Sequence, residues 1–413
     1  MDAFLAAARA DLPGAAAVGV GTLALLASNE WAARRFRPAP ETSRKVAHAG
    51  AGLLCLSFPW VVSSAWTVAV LAGAFFGLLA LGARTGWLQS VHGVGRRSAG
   101  AWIYPFAVWA CFWAADGDAL RYGAPLMVLA IADAGAAIIG RRAGARRYGV
   151  LDGARSLEGS LGFFGLAFAV VLIATALAGR PGWPVALVVA FTAAAVATLV
   201  EAISVRGTDN LLVPFAVLFV LGRGLDGGGA ALEPLLWGLA GSGLVAYAAV
   251  QRGQATVSAA LAITLVGGTA WALGGPAPTV ALFAAWALLR VRSVVPPADL
   301  DDIFPTAAGP LVLLLAAAGD PGTPLRGPLL AALAASSAIA FARPARRPVA
   351  AAALGAGLPL AVAAALGEDL PYWRIGVISL AGPLAFALLS RSAWWGRRLL
   401  ASLFAAALAW SFA

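Results

Sequence analysis

Residues 160–178 read SLGFFGLAFAVVLIATALA, and this stretch decides the class of fold because its nineteen residues include no charged side chain. A helix of this length and composition spans the hydrocarbon core of a lipid bilayer. Similar apolar stretches recur along the 413 residues of the chain and alternate with short polar connections. The sequence therefore predicts an all-α, polytopic integral membrane protein.

Sixteen apolar stretches can be delimited in this way. Apolar residues make up 61% of the chain and charged residues 12%, and the mean hydropathy is +0.85. These values exclude an ordinary soluble domain, so we expect about 16 transmembrane helices. In chain order, the predicted spans are 12–30, 46–62, 64–82, 99–115, 122–139, 160–178, 185–204, 211–223, 232–250, 255–273, 279–290, 306–319, 326–342, 349–366, 373–390 and 397–413.

The net charge of +10 is distributed unevenly between the polar connections. Arginine clusters lie in alternate connections, and the connections between them are acidic or neutral, which is the positive-inside pattern. We therefore expect the amino terminus outside and the basic connections in the cytoplasm, in the inner or plasma membrane of a prokaryotic cell. This pattern explains the charge without a nucleic-acid partner. The clusters lie at 34–37, 84–97, 141–155, 343–347 and 391–398.

The chain changes in character near Gly253. Nearly all the charged residues within spans, and both histidines, precede this residue, whereas the later spans are rich in Ala, Leu and Gly. We predict a catalytic membrane domain at residues 1–225 and an additional transmembrane helical domain of unknown role at 226–413. Ionised groups inside spans are energetically costly, so each one in the first domain is a functional candidate.

Asp133 lies near the predicted cytoplasmic end of a span and is surrounded by small residues. Positions 133, 136, 137 and 140 share one helical face, so two alanines and a glycine form a smooth strip between the carboxylate and the basic connection. A carboxylate there can hold Mg²⁺ while arginines bind phosphates. The alternative interpretation is an ion pair between Asp133 and a neighbouring arginine.

The connection from Arg141 to Ser160 contains five arginines and is rich in glycine. It ends at a predicted helix N-terminus, where free N–H groups favour anions and where Ser156 or Ser160 can act as the cap. This composition indicates a cradle for a triphosphate, although the chain contains no Gly-x4-Gly-Lys-Ser/Thr motif of a P-loop. The alternative is that the basic residues only orient the helices in the membrane.

Lys45 is the one lysine of the chain, which contains 28 arginines. It lies in Arg44-Lys45-Val46-Ala47-His48 at the start of a predicted span, and at helical spacing residues 44, 45 and 48 are neighbours. An ammonium group is a compact charge that can lie against a phosphate, so Lys45 is a candidate site residue. The alternative is an interfacial anchor whose basic side chains reach lipid headgroups.

Three further polar residues lie near predicted span ends: Glu201 at the end of one span, and Asp209 and Asn210 at the entrance to the next. Asp209 and Asn210 can cap a helix, or bind a metal or a hydroxyl group, and one residue can do both. These residues, Lys45, Asp133 and the basic connection all fall on one predicted side of the membrane. Their combination suggests phosphoryl or nucleotidyl transfer to an acceptor dissolved in the membrane.

Five motifs occur in order within residues 40–225: Arg44-Lys45-x-x-His48, Arg97-Ser98-x-Gly100-x-x-x-Tyr104-Pro105, Asp133-Ala-Gly-x-x-x-Gly140-Arg141, Arg155-Ser156-x-Glu158-Gly159-Ser160, and Glu201 with Asp209-Asn210-x-x-x-Pro214. Together they resemble the motifs of the dolichol kinase and phytol kinase family, which is similar to the CDP-diacylglycerol synthases. This family commonly has lysine before the Ser-x-Glu-Gly-Ser element, where this chain has Arg155. No residue after 253 matches a functional motif.

The resemblance implies a kinase that transfers the γ-phosphoryl group of CTP to a prenol hydroxyl at the cytoplasmic interface. It implies that Asp133 coordinates Mg²⁺, that Lys45 and His48 face the reaction centre, and that Glu201 and Asp209 are acid/base or metal candidates. The acceptor, from phytol to dolichol, and the oligomeric state stay open. The implied contacts of CTP are Arg141, Arg142, Arg155, Ser156, Glu158, Gly159 and Ser160, and those of the substrate or its phosphate are Arg44, Arg97 and Asn210.

Two other functions are compatible with parts of this pattern. A phosphatidate cytidylyltransferase would use CTP for attack on its α-phosphorus, but the Lys-Asp and Asp-Arg elements typical of that enzyme are absent after residue 200. A lipid transporter would carry charged groups near the middle of the bilayer, whereas here they lie near predicted span ends. The kinase is the preferred interpretation.

Overall fold

The computed structural model describes residues 2–38, 40–86, 100–150, 153–204, 207–276, 279–280 and 283. The chain divides into two compact units, one up to Leu232 and one from Glu233 onward. The catalytic role predicted for residues 1–225 stays a prediction. Arg97 lies outside the described residues, as do the side chains of Arg44 and Lys45.

The described residues form mainly helices, with one π-helical turn and one β-hairpin in the first unit. The π turn (Val128–Ala132) joins α6 to α7, and the hairpin joins α7 to α8. The elements are α1 (Asp2–Phe36), α2 (Pro40–Leu56), α3 (Phe58–Val61), α4 (Ala65–Thr85), α5 (Gly100–Ala115), α6 (Ala119–Met127), α7 (Asp133–Ala143), β1 (Arg147–Val150), β2 (Gly153–Ser156), α8 (Leu157–Ala178), α9 (Trp183–Ile203), α10 (Asp209–Gly227) and a 3₁₀ turn (Gly229–Leu232), followed in the second unit by α11 (Glu233–Gln251) and α12 (Val257–Gly274).

Eight helical segments of the described residues are long and apolar enough to cross a bilayer, and two shorter apolar ones accompany them. Each of the first ten predicted spans coincides with a helix or with consecutive helices. Large apolar side chains such as Trp60 and Leu177 are exposed on the helix surfaces, as contact with lipid requires. These findings confirm a mostly helical integral membrane protein. The total of about 16 spans and the orientation stay predictions, because the spans after residue 283 lie outside the described residues.

The π turn lies in the core of the first unit. Pro125 of α6 carries no N–H group, and the N–H group of Val128 contacts the carbonyl oxygens of both Ala124 and Pro125. The helix is wider from Val128 to Ala132, and both of these side chains are fully buried. The turn packs against α2, α8 and α10. The residue that follows it, Asp133, is therefore placed by three surrounding elements.

The β-hairpin is the exception to the all-helical prediction. Tyr148 of β1 pairs with Arg155 of β2, and Arg147 pairs with Ser156. Because side chains alternate between the two faces of a strand, Tyr148 and Arg155 share the face that contacts α8 and α9, while Arg147 is exposed. Gly153, at the start of β2, has a φ of +145°, a conformation that favours glycine.

Small residues allow α7 and the start of α8 to pack closely. A Cβ atom added to Gly159 would lie 3.3 Å from the carbonyl oxygen of Ala136 and 3.3 Å from the Cα atom of Gly140. Any larger side chain at this point would push the two helices apart. The strip of small residues that the sequence predicted therefore receives the first turn of α8 over part of its length.

The end of the first unit that lies away from the hairpin carries two carboxylates with several partners. Asp11 of α1 accepts hydrogen bonds of 2.8 to 3.0 Å from the N–H and hydroxyl groups of Ser63, the N–H group of Ser64 and the hydroxyl of Thr67. These bonds tie α1 to the start of α4. Asp11 is 3% exposed, so its charge is balanced by these donors rather than by water.

Asp118, at the same end, caps α6. Its carboxylate accepts hydrogen bonds from the backbone N–H groups of Leu120 and Arg121 and forms an ion pair with Arg180 at 2.6 Å. Arg121 also forms an ion pair with Asp226 of α10. Burial acts to raise the pKa of Asp118, but the hydrogen bonds from Arg180 and the backbone outweigh it and leave this pKa below its ordinary value.

In the second unit, α11 and α12 pack against each other through glycines. A Cβ atom added to Gly238 of α11 would lie 3.1 Å from the Cα atom of Gly268 of α12. Glu233 is the one charged residue within these two helices. This helix pair therefore carries no candidate site residue.

Candidate active site

Asp133 is the first residue of α7 and follows the π turn directly. Its side chain is partly buried, whereas the preceding Ala132 is fully buried. The last turn of α7 carries Arg141 and Arg142, which are exposed. The rise of an α-helix places Arg141 about 12 Å from Asp133 along the axis. A bound polyphosphate could bridge a spacing of this size between the carboxylate and the arginines.

Ser156 caps α8, which confirms one of the two caps that the sequence left open. Its Oγ accepts a hydrogen bond from the N–H group of Gly159 at 3.1 Å. The N–H group of Leu157 donates to the carbonyl oxygen of Arg146 at 2.8 Å. Two of the N–H groups that were predicted to bind a triphosphate therefore form hydrogen bonds within the protein. This leaves the exposed arginines as the stronger candidates for phosphate binding.

Glu158 and Ser160, in the first turn of α8, both bond to the connection that precedes them. The Glu158 carboxylate accepts hydrogen bonds from the N–H group of Arg146 at 3.1 and 3.2 Å. The hydroxyls of Ser160 and Tyr148 lie 2.7 Å apart and share a hydrogen bond. These contacts hold the hairpin on α8. The sequence did not identify Tyr148 as a candidate, because no residue next to it in the chain indicates that Ser160 is its partner.

Arg155 and Glu201, to which the sequence assigned separate roles, form an ion pair. Arg155 also donates a hydrogen bond to the carbonyl oxygen of Ser204 at 3.1 Å. Glu201 is 6% exposed, and a carboxylate buried to this degree needs a charged or hydrogen-bonding partner. The pair fastens the hairpin to the end of α9, which brings two of the predicted regions together.

The start of α10 carries Asp209 and Asn210. The helix begins at Asp209, and Thr208 occupies the cap position without a side-chain capping hydrogen bond. The interpretation of Asp209 as the cap is therefore wrong. Asp209 lies in the first turn instead, where a carboxylate interacts favourably with the helix dipole. Asn210 is buried, and the short connection from α9 places both residues at the end of the unit that carries Glu201.

His48 of α2 contacts the ring of Tyr104, with 4.6 Å between the ring centroids. Helix α2 runs antiparallel to α6 and the π turn, and a Cβ atom added to Gly52 would lie 3.3 Å from the Cβ atom of Ala130. Along α2, His48 precedes Gly52 by about 6 Å. Along the opposite helix, Asp133 follows Ala130 by about 4.5 Å, which is the same direction because the helices are antiparallel. The two residues therefore lie at similar depths on adjacent helices.

Several predicted regions thus lie towards one end of the first unit: the start of α2, α7, the hairpin, the end of α9 and the start of α10. The arginines at 141, 142, 146 and 147 are all exposed at this end. Lys45 lies on α2 one turn before His48, so its backbone belongs to the same end. The candidate active site is defined by this end of the unit.

The side chains at this end fit a metal ion that binds as a complex with a nucleotide. The described residues contain no group of three or more His, Cys, Asp or Glu side chains that could hold a metal ion. Mg²⁺ needs only one or two protein carboxylates when phosphate oxygens and water complete its shell. Asp133, near exposed arginines, satisfies that smaller requirement.

Two polar residues of α1, Asn29 and Glu30, were missed by the sequence reasoning. They are 7% and 6% exposed, and Glu30 forms an ion pair with Arg34 at 3.0 Å. The Nδ2 atom of Asn29 has no hydrogen-bond partner among the described residues. Because α1 and α2 are antiparallel, both residues lie beside the first turns of α2, which carry Lys45. The sequence signal that could have identified these two residues is the presence of an amide and a carboxylate inside the predicted span 12–30.

A search of curated proteins finds that the chain is similar to a phytol kinase from Synechocystis sp. (strain ATCC 27184 / PCC 6803 / Kazusa). The two sequences are 32% identical over 219 residues, which make up 51% of this chain and 90% of the relative. No protein-family model and no solved structure matches the chain.

Proposed function

Because this chain belongs to the phytol kinase family, we propose that it phosphorylates a prenol alcohol in the membrane with CTP as phosphoryl donor. The observation that carries this proposal is that Asp133, exposed arginines and His48 lie at one end of the first unit. Since CTP is supplied from the cytoplasm, this end faces the cytoplasm, in agreement with the positive-inside pattern of the connections.

The nucleotide binds at the exposed side of α7 and the connection that follows. Arg141, Arg142, Arg146 and Arg147 offer planar guanidinium groups, which bind phosphate oxygens in pairs and neutralise the triphosphate. Asp133 would hold Mg²⁺, which would supply charge neutralisation to the bound nucleotide. Phosphoryl transfer depends mainly on positioning and charge neutralisation, so these groups need not form a covalent intermediate.

The acceptor hydroxyl approaches from the side of α2. The alcohol oxygen forms a bond to the γ-phosphorus, the bond from that phosphorus to the β–γ bridging oxygen breaks, and CDP leaves. His48 takes the hydroxyl proton, while the adjacent ring of Tyr104 holds the imidazole in place. Lys45, one turn away, binds the transferred group. Asp209 is the second candidate for the base.

Other predicted residues support this arrangement. The Arg155–Glu201 ion pair and the bonds of Ser156, Glu158 and Ser160 position the hairpin, and therefore the arginines that flank it. Arg44, Arg97 and Asn210 stay proposed contacts of the substrate or its phosphate.

The experiment incubates the purified full chain with CTP labelled at the γ-phosphate, Mg²⁺ and a panel of prenols that includes phytol, geranylgeraniol and dolichol. We expect a labelled prenyl phosphate and unlabelled CDP. A parallel reaction with phosphatidate and α-labelled CTP tests the cytidylyltransferase. Pyrophosphate release with formation of a CDP-lipid would overturn the kinase proposal, as would the absence of label in every prenol.

A further inference from the structure

The first unit contains a cavity of about 290 Å³ between α1, α2, α4 and α5. Its lining is almost entirely apolar and includes Val18, Leu54, Leu71 and Phe75. The hydroxyl of Thr22, a polar group of the lining, already donates a hydrogen bond to the carbonyl oxygen of Val18 at 2.8 Å. A cavity of this composition suits a hydrocarbon ligand, and its volume is near the lower end of the range of about 300–1,000 Å³ for small-molecule sites.

One end of the cavity reaches the candidate active site. Tyr104 and Ala51 line the cavity, and the ring of Tyr104 lies 4.6 Å from that of His48. Ala51 is one helical turn from His48 on α2. A ligand in the cavity can therefore present its polar end to His48 without leaving the apolar lining.

The other end of the cavity is closed. Phe58 and Val68 line it there and are 4% and 1% exposed. Beyond them, the hydrogen bonds of Asp11 to Ser63 and Thr67 fix α1 against the start of α4. Because these bonds hold the helices together, the closed end limits how far a chain can extend.

The side of the cavity formed by α1 opens towards the lipid-facing surface. Leu23 lines the cavity and is 51% exposed, and a Cβ atom added to Gly19 would meet no atom within 4 Å. A lipid-soluble molecule can therefore enter from the bilayer. The absence of a side chain at Gly19 contributes to the width of this entrance.

We propose that this cavity binds the isoprenoid chain of the acceptor alcohol, with the hydroxyl group at Tyr104 and His48. The inference rests on the proposed function, because only a lipid alcohol uses both the apolar cavity and the base at its end. The closed end also sets the path of the chain, because an isoprenoid longer than the cavity must leave it through the opening at Gly19 and Leu23.

A pair of glycine substitutions tests the cavity in the full-length protein. Gly19→Leu fills the space at the entrance, and Gly73→Leu is its matched control, since Gly73 is an exposed glycine of α4 that does not line the cavity. We expect Gly19→Leu to raise the KM for phytol about tenfold, the equivalent of about 1.4 kcal/mol, without changing the KM for CTP. Gly73→Leu should leave both constants unchanged. An unchanged KM for phytol in Gly19→Leu overturns the inference.

Photo-cross-linking separates failure of this inference from failure of the proposed function. A phytol analogue with a diazirine on its chain should label peptides that contain residues 18–23 and 51–58, and unlabelled phytol should compete. This labelling does not require catalysis, so it would persist if no kinase activity were found. Equal labelling by a diazirine phospholipid, or no competition by phytol, would show that bulk lipid fills the cavity and would overturn the inference.

Discussion

The charged side chains at the two ends of the first unit differ in their partners and in their exposure. At one end, Asp11 and Asp118 each accept several hydrogen bonds, and Asp118 also has an arginine partner. At the other end, Arg141 and Arg142 extend from α7 and are exposed, together with further arginines of the hairpin connection. The hydrogen bonds and the ion pair at the first end hold helices together, whereas the exposed arginines at the second end are accessible to a ligand. The difference supports the proposal that an anionic substrate binds at the second end.

Replacement of one carboxylate at each end is expected to have the largest effect. Asp133→Asn removes the proposed Mg²⁺ ligand, and we expect the turnover with CTP to fall by about a thousandfold, the effect typical of a lost group that stabilises transition-state charge. Asp226→Asn is the matched control at the other end, where the carboxylate is 68% exposed and pairs with Arg121. Turnover measured with γ-labelled CTP should be nearly normal in the control. Equal activity of the two variants would contradict the metal role of Asp133.

The Arg155–Glu201 ion pair joins two elements at the second end, and its contribution to stability can be measured. Glu201→Ala leaves Arg155 without its partner, and we expect the free energy of unfolding to fall by about 3 kcal/mol, the lower end of the cost of breaking a buried pair. Thermal unfolding in detergent, followed by tryptophan fluorescence, measures the loss. Activity that is lost while stability stays normal would instead make Glu201 a catalytic residue.

The exposed arginines give the smallest of the three expected effects. Arg141→Gln combined with Arg142→Gln should raise the KM for CTP about tenfold, more at low salt than at high salt, because exposed charges are screened. Arg252→Gln, an exposed arginine of the second unit, provides a control with the same chemistry. Initial rates at two ionic strengths measure the effect. A KM that responds equally in the control would remove these arginines from the nucleotide site.

Features that depend on composition along one stretch could be predicted from the sequence. Each of the first ten predicted spans coincides with helices, because burial in lipid forces every backbone group of an apolar stretch into internal hydrogen bonds. The cap at Ser156 was predictable for a similar reason, since a serine before an apolar helical stretch satisfies a free N–H group locally.

Features that depend on distant partners could not be predicted in this way. Glu201 was assigned a catalytic role and Arg155 a nucleotide contact, because nothing near either residue shows that they pair across 46 positions. The hairpin had a local signal that was overlooked: Tyr148 and Val150 alternate with polar or small residues, and Gly153 can adopt the positive φ found at the start of β2. A composition rich in arginine and glycine concealed that alternation.

The π turn at Val128–Ala132 interrupts the regular helix directly before Asp133. Such a turn holds one residue more than a turn of α-helix, and each residue of an α-helix advances the azimuth by about 100°. Because the turn absorbs its extra residue as a bulge, deletion of one residue from it would restore a regular helix and leave the azimuth of α7 relative to α6 nearly unchanged. The extra residue therefore widens the helix directly before Asp133 without redirecting α7.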